Sequence, residues 1–161
     1  MRWLVACLLL AALSPLAATE AVRLTADSGF GIDLVPAVQM LDPGIDTPDP
    51  ERAWAAVARG EVTPLPGPNP SFGFVHGMRW FTVRLENVDH PAQRWQLLIE
   101  QPRIDEILIQ TRDQGGIIRE HRLGDRQPFS ARGVAHRYPN IELALPRGSG
   151  IDVLIGVRST S

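Results

Sequence analysis

One cysteine, Cys7, stands in the whole sequence, and it lies within the first ten residues. The remainder therefore folds without a disulfide; an oxidising compartment is permitted, but only a packed core can stabilise the chain there. Charge of one sign is also lacking: 16 basic residues face 18 acidic ones, a net of −2, with no basic stripe. That argues against nucleic acid, whose phosphate backbone demands clustered Lys and Arg. The histidines, His76, His90, His121 and His136, are widely separated, with no H-E-x-x-H or comparable zinc spacing. No G-x-S-x-G elbow occurs. Glu100, Asp105, Glu106 and Asp125 are present, but their spacing singles out no facing acid–base pair of the kind a glycosidase needs. An enzyme is therefore not expected, and no cofactor is implied. A structural calcium held by loop carboxylates stays open, with no motif to mark it.

Long apolar runs are missing beyond the start of the chain. Leu4 to Leu13 is uninterrupted and apolar, behind Arg2 and ahead of Pro15 and the small residues Ala17, Ala18 and Ala21. This is the order of a secretory signal peptide, too short for the roughly 20 residues of a spanning helix. Residues 1–21 are assigned to it, with cleavage after Ala18 or Ala21; an uncleaved anchor is the alternative. Cys7 does not mark a lipoprotein, because most of the apolar segment follows it. Residues 22–161 then form one domain, long enough for a single sizeable core.

What is present reads mostly as strands. Asp49, Pro50 and Glu51 start one helix, Ala53, Trp54, Val57 and Ala58 give its apolar stripe, and Gly60 ends it. Pro64 to Gly77 reads as a loop. Met78 to Glu86 alternates, with Phe81, Val83 and Leu85 on one face and Trp80, Thr82, Arg84 and Glu86 on the other. Strands are expected at Trp95–Gln101, Ile104–Arg112, Ile117–Leu123, Asn140–Leu145 and Ile151–Arg158, with an edge strand within Leu24–Leu34. Asp113-Gln114-Gly115-Gly116 is hairpin chemistry. Short strands of period two with frequent turns predict a mainly β sandwich carrying one helix.

Several of these segments resemble one family. Trp80-Phe81-Thr82-Val83-Arg84-Leu85-Glu86-Asn87 resembles its W-(L/F)-x-(F/V)-x-L-x-N strand. Trp95 to Glu100 followed by Ile104 to Ile109 is similar to its next pair. Gly124-Asp125-Arg126-Gln127-Pro128-Phe129 with Arg132, then His136-Arg137, resembles its G-D-x-x-P-F-x-x-R loop and the segment beyond. Ile155-Gly156-Val157-Arg158-Ser159 is similar to its closing strand. The family is the type 2 extracellular domain of seven-transmembrane receptors with diverse intracellular signalling modules, 7TMR-DISM. The resemblance, from about Pro36 onward, implies a jelly-roll-like sandwich similar to carbohydrate-binding modules. It also implies a receptor whose membrane bundle feeds a diguanylate cyclase or histidine kinase. Neither bundle nor output module lies within the sequence, which fits the N-terminal fragment of a longer receptor or a free-standing relative.

Trp80, Arg84, Asp125, Arg132, His136 and Arg137 have the chemistry for a sugar: an aromatic face for the ring and planar polar groups for hydroxyls. Each has a plainer role as well. Trp80 fits a core, and Arg84 fits a pair with Glu100 or Asp105. Asp125 fits a turn, Arg132 and Arg137 fit loop anchors, and His136 fits a hydrogen-bonded surface histidine. Trp54 and Trp95 are expected to be structural. The expected function is a periplasmic sensor that binds a small ligand, a saccharide by this resemblance, and biases its own seven-helix membrane domain. The alternatives are a protein-interaction or homodimerisation module and a free secreted carbohydrate-binding protein.

Overall fold

A computed structural model describes residues 20–42, 47–67, 77–101, 104–124 and 136–159. Nine strands and one α-helix lie among them: β1 Val22–Leu24, β2 Gln39–Leu41, α1 Pro50–Ala58, β3 Val62–Pro64, β4 Arg79–Asn87, β5 Arg94–Leu98, β6 Glu106–Asp113, β7 Ile118–Leu123, β8 Asn140–Ala144 and β9 Ser149–Arg158. The helix begins where its sequence says it should. Asp49 caps it by accepting from the Glu51 amide at 2.9 Å, and Pro50 occupies a first-turn position whose amide would lack a partner. Gly60, at φ 74°, turns the chain away in the left-handed region.

Seven strands form one sheet in the order β3-β2-β4-β9-β6-β7, with β1 also paired to β4; β5 and β8 form a second sheet. All pairings are antiparallel except that of β1 with β4. Alternation then sorts side chains to two faces of the large sheet. Its inner face carries Val83, Leu85, Ile107, Ile109, Leu123, Ile151 and Val153, packed against Leu97, Ile141, Leu143 and Leu145 of the small-sheet layer. Its outer face is covered in part by α1. There Ala53, Trp54 and Ala56 meet Met78, Trp80, Leu108, Leu154 and Leu41 in a second core. A nine-residue helix is marginal alone, and this burial is what holds it. The mainly β sandwich with one helix is as expected.

The expected edge strand within Leu24–Leu34 is corrected. Only Val22–Leu24 pairs, and the chain then turns, with the Thr25 amide donating to Ser28 Oγ at 2.9 Å. Ile32, Leu34, Ala37 and Val38 go on to pack against the inner core. A two-stranded sheet cannot span a seven-stranded one, and this segment supplies the missing cover. The three-residue strands β2 and β3 went unread because so short a run shows no period; β3 takes Pro64, expected as loop, into the sheet edge. The loop motif 68–76 lies outside the described residues, as does the 1–19 stretch.

Asn87 closes one end of the sandwich. Its buried amide donates to the carbonyls of His90, Ala92 and Leu145, and its Oδ1 accepts from the His90 amide at 2.8 Å. His90 is itself 2% exposed. Its Nδ1 accepts from the Ala92 amide at 3.0 Å, which leaves Nε2–H to donate to the Ser28 carbonyl at 3.2 Å.

Candidate ligand cleft

Beyond the core under α1, the described outer face carries polar side chains. The register puts three charged residues there in one row across three strands: Arg84 of β4 opposite Asp152 of β9, and Asp152 opposite Arg112 of β6. Opposite charges facing one another across a ladder stabilise it modestly. Asp152 sits between two guanidinium groups, accepting from Arg84 Nη1 at 2.8 Å and Arg112 Nη2 at 3.3 Å. Arg84 also donates through Nε to Glu86 at 3.1 Å. The hydrogen bond to Asp152 raises the Arg84 pKa above its ordinary value, against an opposing effect of burial. Arg84, Arg112 and Asp152 line a cleft of about 360 Å³ together with Asp113, Gln114, Gly116 and Gly150. The turn at its edge is fixed by Asp113, whose Oδ1 accepts from the amides of Gly115 and Ile117, both at 2.9 Å.

Between cleft and helix runs a chain of polar contacts. The Arg112 guanidinium lies 4.2 Å from the centre of the Trp54 ring. Trp54 Nε1 donates to Gln110 Oε1 at 2.8 Å, and Gln110 Nε2 donates to Glu120 at 2.7 Å. The bond from Gln110, with Arg122 adding to it, holds the Glu120 carboxyl below its ordinary range. Arg122 approaches Glu106, which also pairs with Arg158 at the end of β9. No described group of His, Cys, Asp or Glu side chains is arranged to hold a metal.

Against this frame of sheet, cleft and capped helix, the family model 7TMR-DISM extracellular 2 matches residues 45–161. The chain belongs to this family. No curated protein and no solved structure matches it. As a 7TMR-DISM extracellular domain it is the extracytoplasmic sensor part of a membrane receptor, in a family that is generally non-catalytic and associated with a seven-transmembrane domain. Among the described residues no helix is long and apolar enough to cross a membrane.

Among the described residues, the 7TMR-DISM domain does not gather the expected site residues in one place. Trp80 shares the outer face with Arg84, as alternation requires. It is 1% exposed, however, lies in the core under α1, and donates from Nε1 to the Thr47 carbonyl at 2.7 Å. The structure therefore corrects it from platform to core: the strand pattern gives the face but not what covers it. Trp54 is structural, as expected. Trp95 packs against the inner core. Arg84 pairs with Asp152 and Glu86, not with Glu100 or Asp105. His136 and Arg137 precede β8 at the opposite end of the sandwich. Strand β8 starts there with Asn140 opposite Leu98 and runs towards Leu145, whose carbonyl accepts from Asn87 at the cleft end. His136 Nδ1 accepts from the Tyr138 amide at 3.2 Å, and Arg137 donates to the Tyr138 hydroxyl at 2.7 Å while its guanidinium lies 4.5 Å from that ring's centre. Asp125 and Arg132 lie outside the described residues. Arg112, Asp113, Gln114 and Asp152 were not among the expected site residues. Their signal is charge on same-face positions of separate strands, and pairing those strands needs the register.

Proposed function

We propose that this domain is exported by residues 1–21 and senses a saccharide at the Arg84–Asp152–Arg112 cleft. Binding biases a membrane bundle that drives an output of diguanylate cyclase or histidine kinase type. The observation that carries the ligand class is the lining: Arg84 and Arg112 balance Asp113 and Asp152, so the cleft is net neutral yet dense in planar donors and acceptors. A free anion gains little from such a lining. Adjacent hydroxyls, each donor and acceptor at once, match it. Binding signals only in so far as the ligand prefers one arrangement of the receptor over another. A thermal-shift and calorimetric panel of neutral and acidic saccharides tests this. A neutral sugar is expected to raise the melting temperature of the parent and to bind at least about tenfold more weakly to Asp152→Asn and Arg84→Ala, the loss of one charge-assisted hydrogen bond. No shift with any sugar, or equal shifts in both variants, sinks the saccharide.

A second reading, an interaction or homodimerisation module, draws on one observation. Phe30, Val88, Ile117 and Ile118 are large, apolar and exposed. Val88 follows β4 and Ile117 follows the β6–β7 turn, and Phe30 contacts His90 and Trp95, so all four lie towards the cleft end. A sedimentation series showing dimer, weakened by Ile118→Ser, would favour it.

A further inference from the structure

We infer that Trp54 is a positioning residue for the cleft and that helix α1 thereby reports whether the cleft is filled; this deepens the ligand reading above and rests on it. Arg112 belongs to both places at once. One end of its contacts is Asp152, inside the cleft, at 3.3 Å. The other is the Trp54 ring of α1, 4.2 Å from the guanidinium carbon. Arg112 lines the cleft, its side chain is 35% exposed, and its bond to Asp152 uses one of five guanidinium donors, so it is accessible to a ligand.

The helix side of this contact is built to respond. Trp54 is 6% exposed, and its indole N–H is committed to Gln110 at 2.8 Å. Gln110 is committed in turn to Glu120 at 2.7 Å. The indole therefore cannot follow the guanidinium if a ligand draws it deeper into the cleft; the stacking is lost instead. Arg84 lines the same cleft, but its hydrogen bonds go to Asp152 and Glu86 and not to a residue of α1. The two arginines thus have different roles: both meet a ligand, and only Arg112 carries its presence to α1. Coupling of this kind is reciprocal, so loosening the helix also weakens the cleft.

The test needs no ligand to begin. In nitrogen-15-labelled exported domain, the Trp54 Nε1–H resonance is identified by its disappearance in Trp54→Phe. Arg112→Ala is expected to move that resonance and to speed amide exchange within residues 50–58 about fivefold, the scale of one partly buried cation–π contact. Arg84→Ala is expected to change exchange there less than about twofold, the level of an ordinary exposed ion pair. Arg112→Lys keeps a cation over the ring and is expected to restore most of the parent resonance. If Arg112→Ala leaves both readouts at the parent value, or Arg84→Ala moves them equally, the inference is overturned. A saccharide that binds the parent is expected to shift the Trp54 resonance in the parent and not in Arg112→Ala. A sugar that binds without moving it overturns the reporter role and spares the cleft. A panel without any binder counts against the saccharide alone, because the substitutions decide the coupling by themselves.

Discussion

Single atoms decide several positions in this domain. Gly156 lies where the Trp80 ring crosses β9, and a β-carbon there would sit 2.7 Å from both the Met78 sulfur and Trp80 Cζ3. Gly156→Ala must push the ring into the packed layer beneath α1, and overpacking of that kind costs about 1–3 kcal/mol. Urea unfolding should show the loss, and an unchanged midpoint would mean that the ring has room to move. Asn87 presents the opposite case, a polar group that cannot be removed. Its amide holds three carbonyls and accepts one amide in a place 1% exposed. Asn87→Ala strands those groups, at about 1–3 kcal/mol for each one left buried and unpaired. We expect a drop of at least about 2 kcal/mol in the same assay, and a smaller one would show that water replaces the side chain.

Elements meet through side chains that belong to two of them. Glu120 on β7 is the clearest, taking Gln110 of β6 and, through it, Trp54 of α1. Its folded pKa lies below the ordinary 4.5. The stability it contributes is therefore complete above that ordinary value and drains away as pH falls through the lower folded one. The side chain is 36% exposed, which keeps the effect within about 1 kcal/mol. Parent and Glu120→Gln are expected to differ at neutral pH and to converge well below the ordinary carboxylate range. A gap that stays constant would assign the difference to shape rather than charge.

At this scale the sequence is also most readable. Runs of five residues or more, such as Arg79–Asn87 and Ser149–Arg158, declare their period, and Asp49-Pro50-Glu51 declares the helix start. Three-residue strands such as Gln39–Leu41 have nothing to declare. The cleft was half legible. Arg84 stands out as a charge on a strand face, but Asp152 and Arg112 join it only through two strand pairings, Arg84 with Asp152 across 68 residues of sequence and Asp152 with Arg112 across 40. Trp80 was placed on the correct face and under the wrong cover, because helix α1 reaches it from a distant part of the chain.

Taken whole, the domain has two cores sharing one sheet, since β4, β6 and β9 send alternate side chains to each. Neither layer can open without disturbing strands the other depends on. Unfolding is therefore expected as a single transition, with tryptophan fluorescence, which reports mainly the α1 side through Trp54 and Trp80, coincident with the far-ultraviolet signal of the sheets. Separated midpoints would show that the helix layer melts on its own.

Strand β9 begins beside the cleft at Gly150 and Asp152, finishes at the opposite end with Arg158, and is laddered on both flanks, to β4 from Ser149 to Val157 and to β6 from Ile151 to Arg158. Sliding it by one step would invert every side chain between two filled layers. A piston stroke is thereby forbidden, and any mechanical message crossing the molecule along this strand has to travel as a tilt of the entire slab.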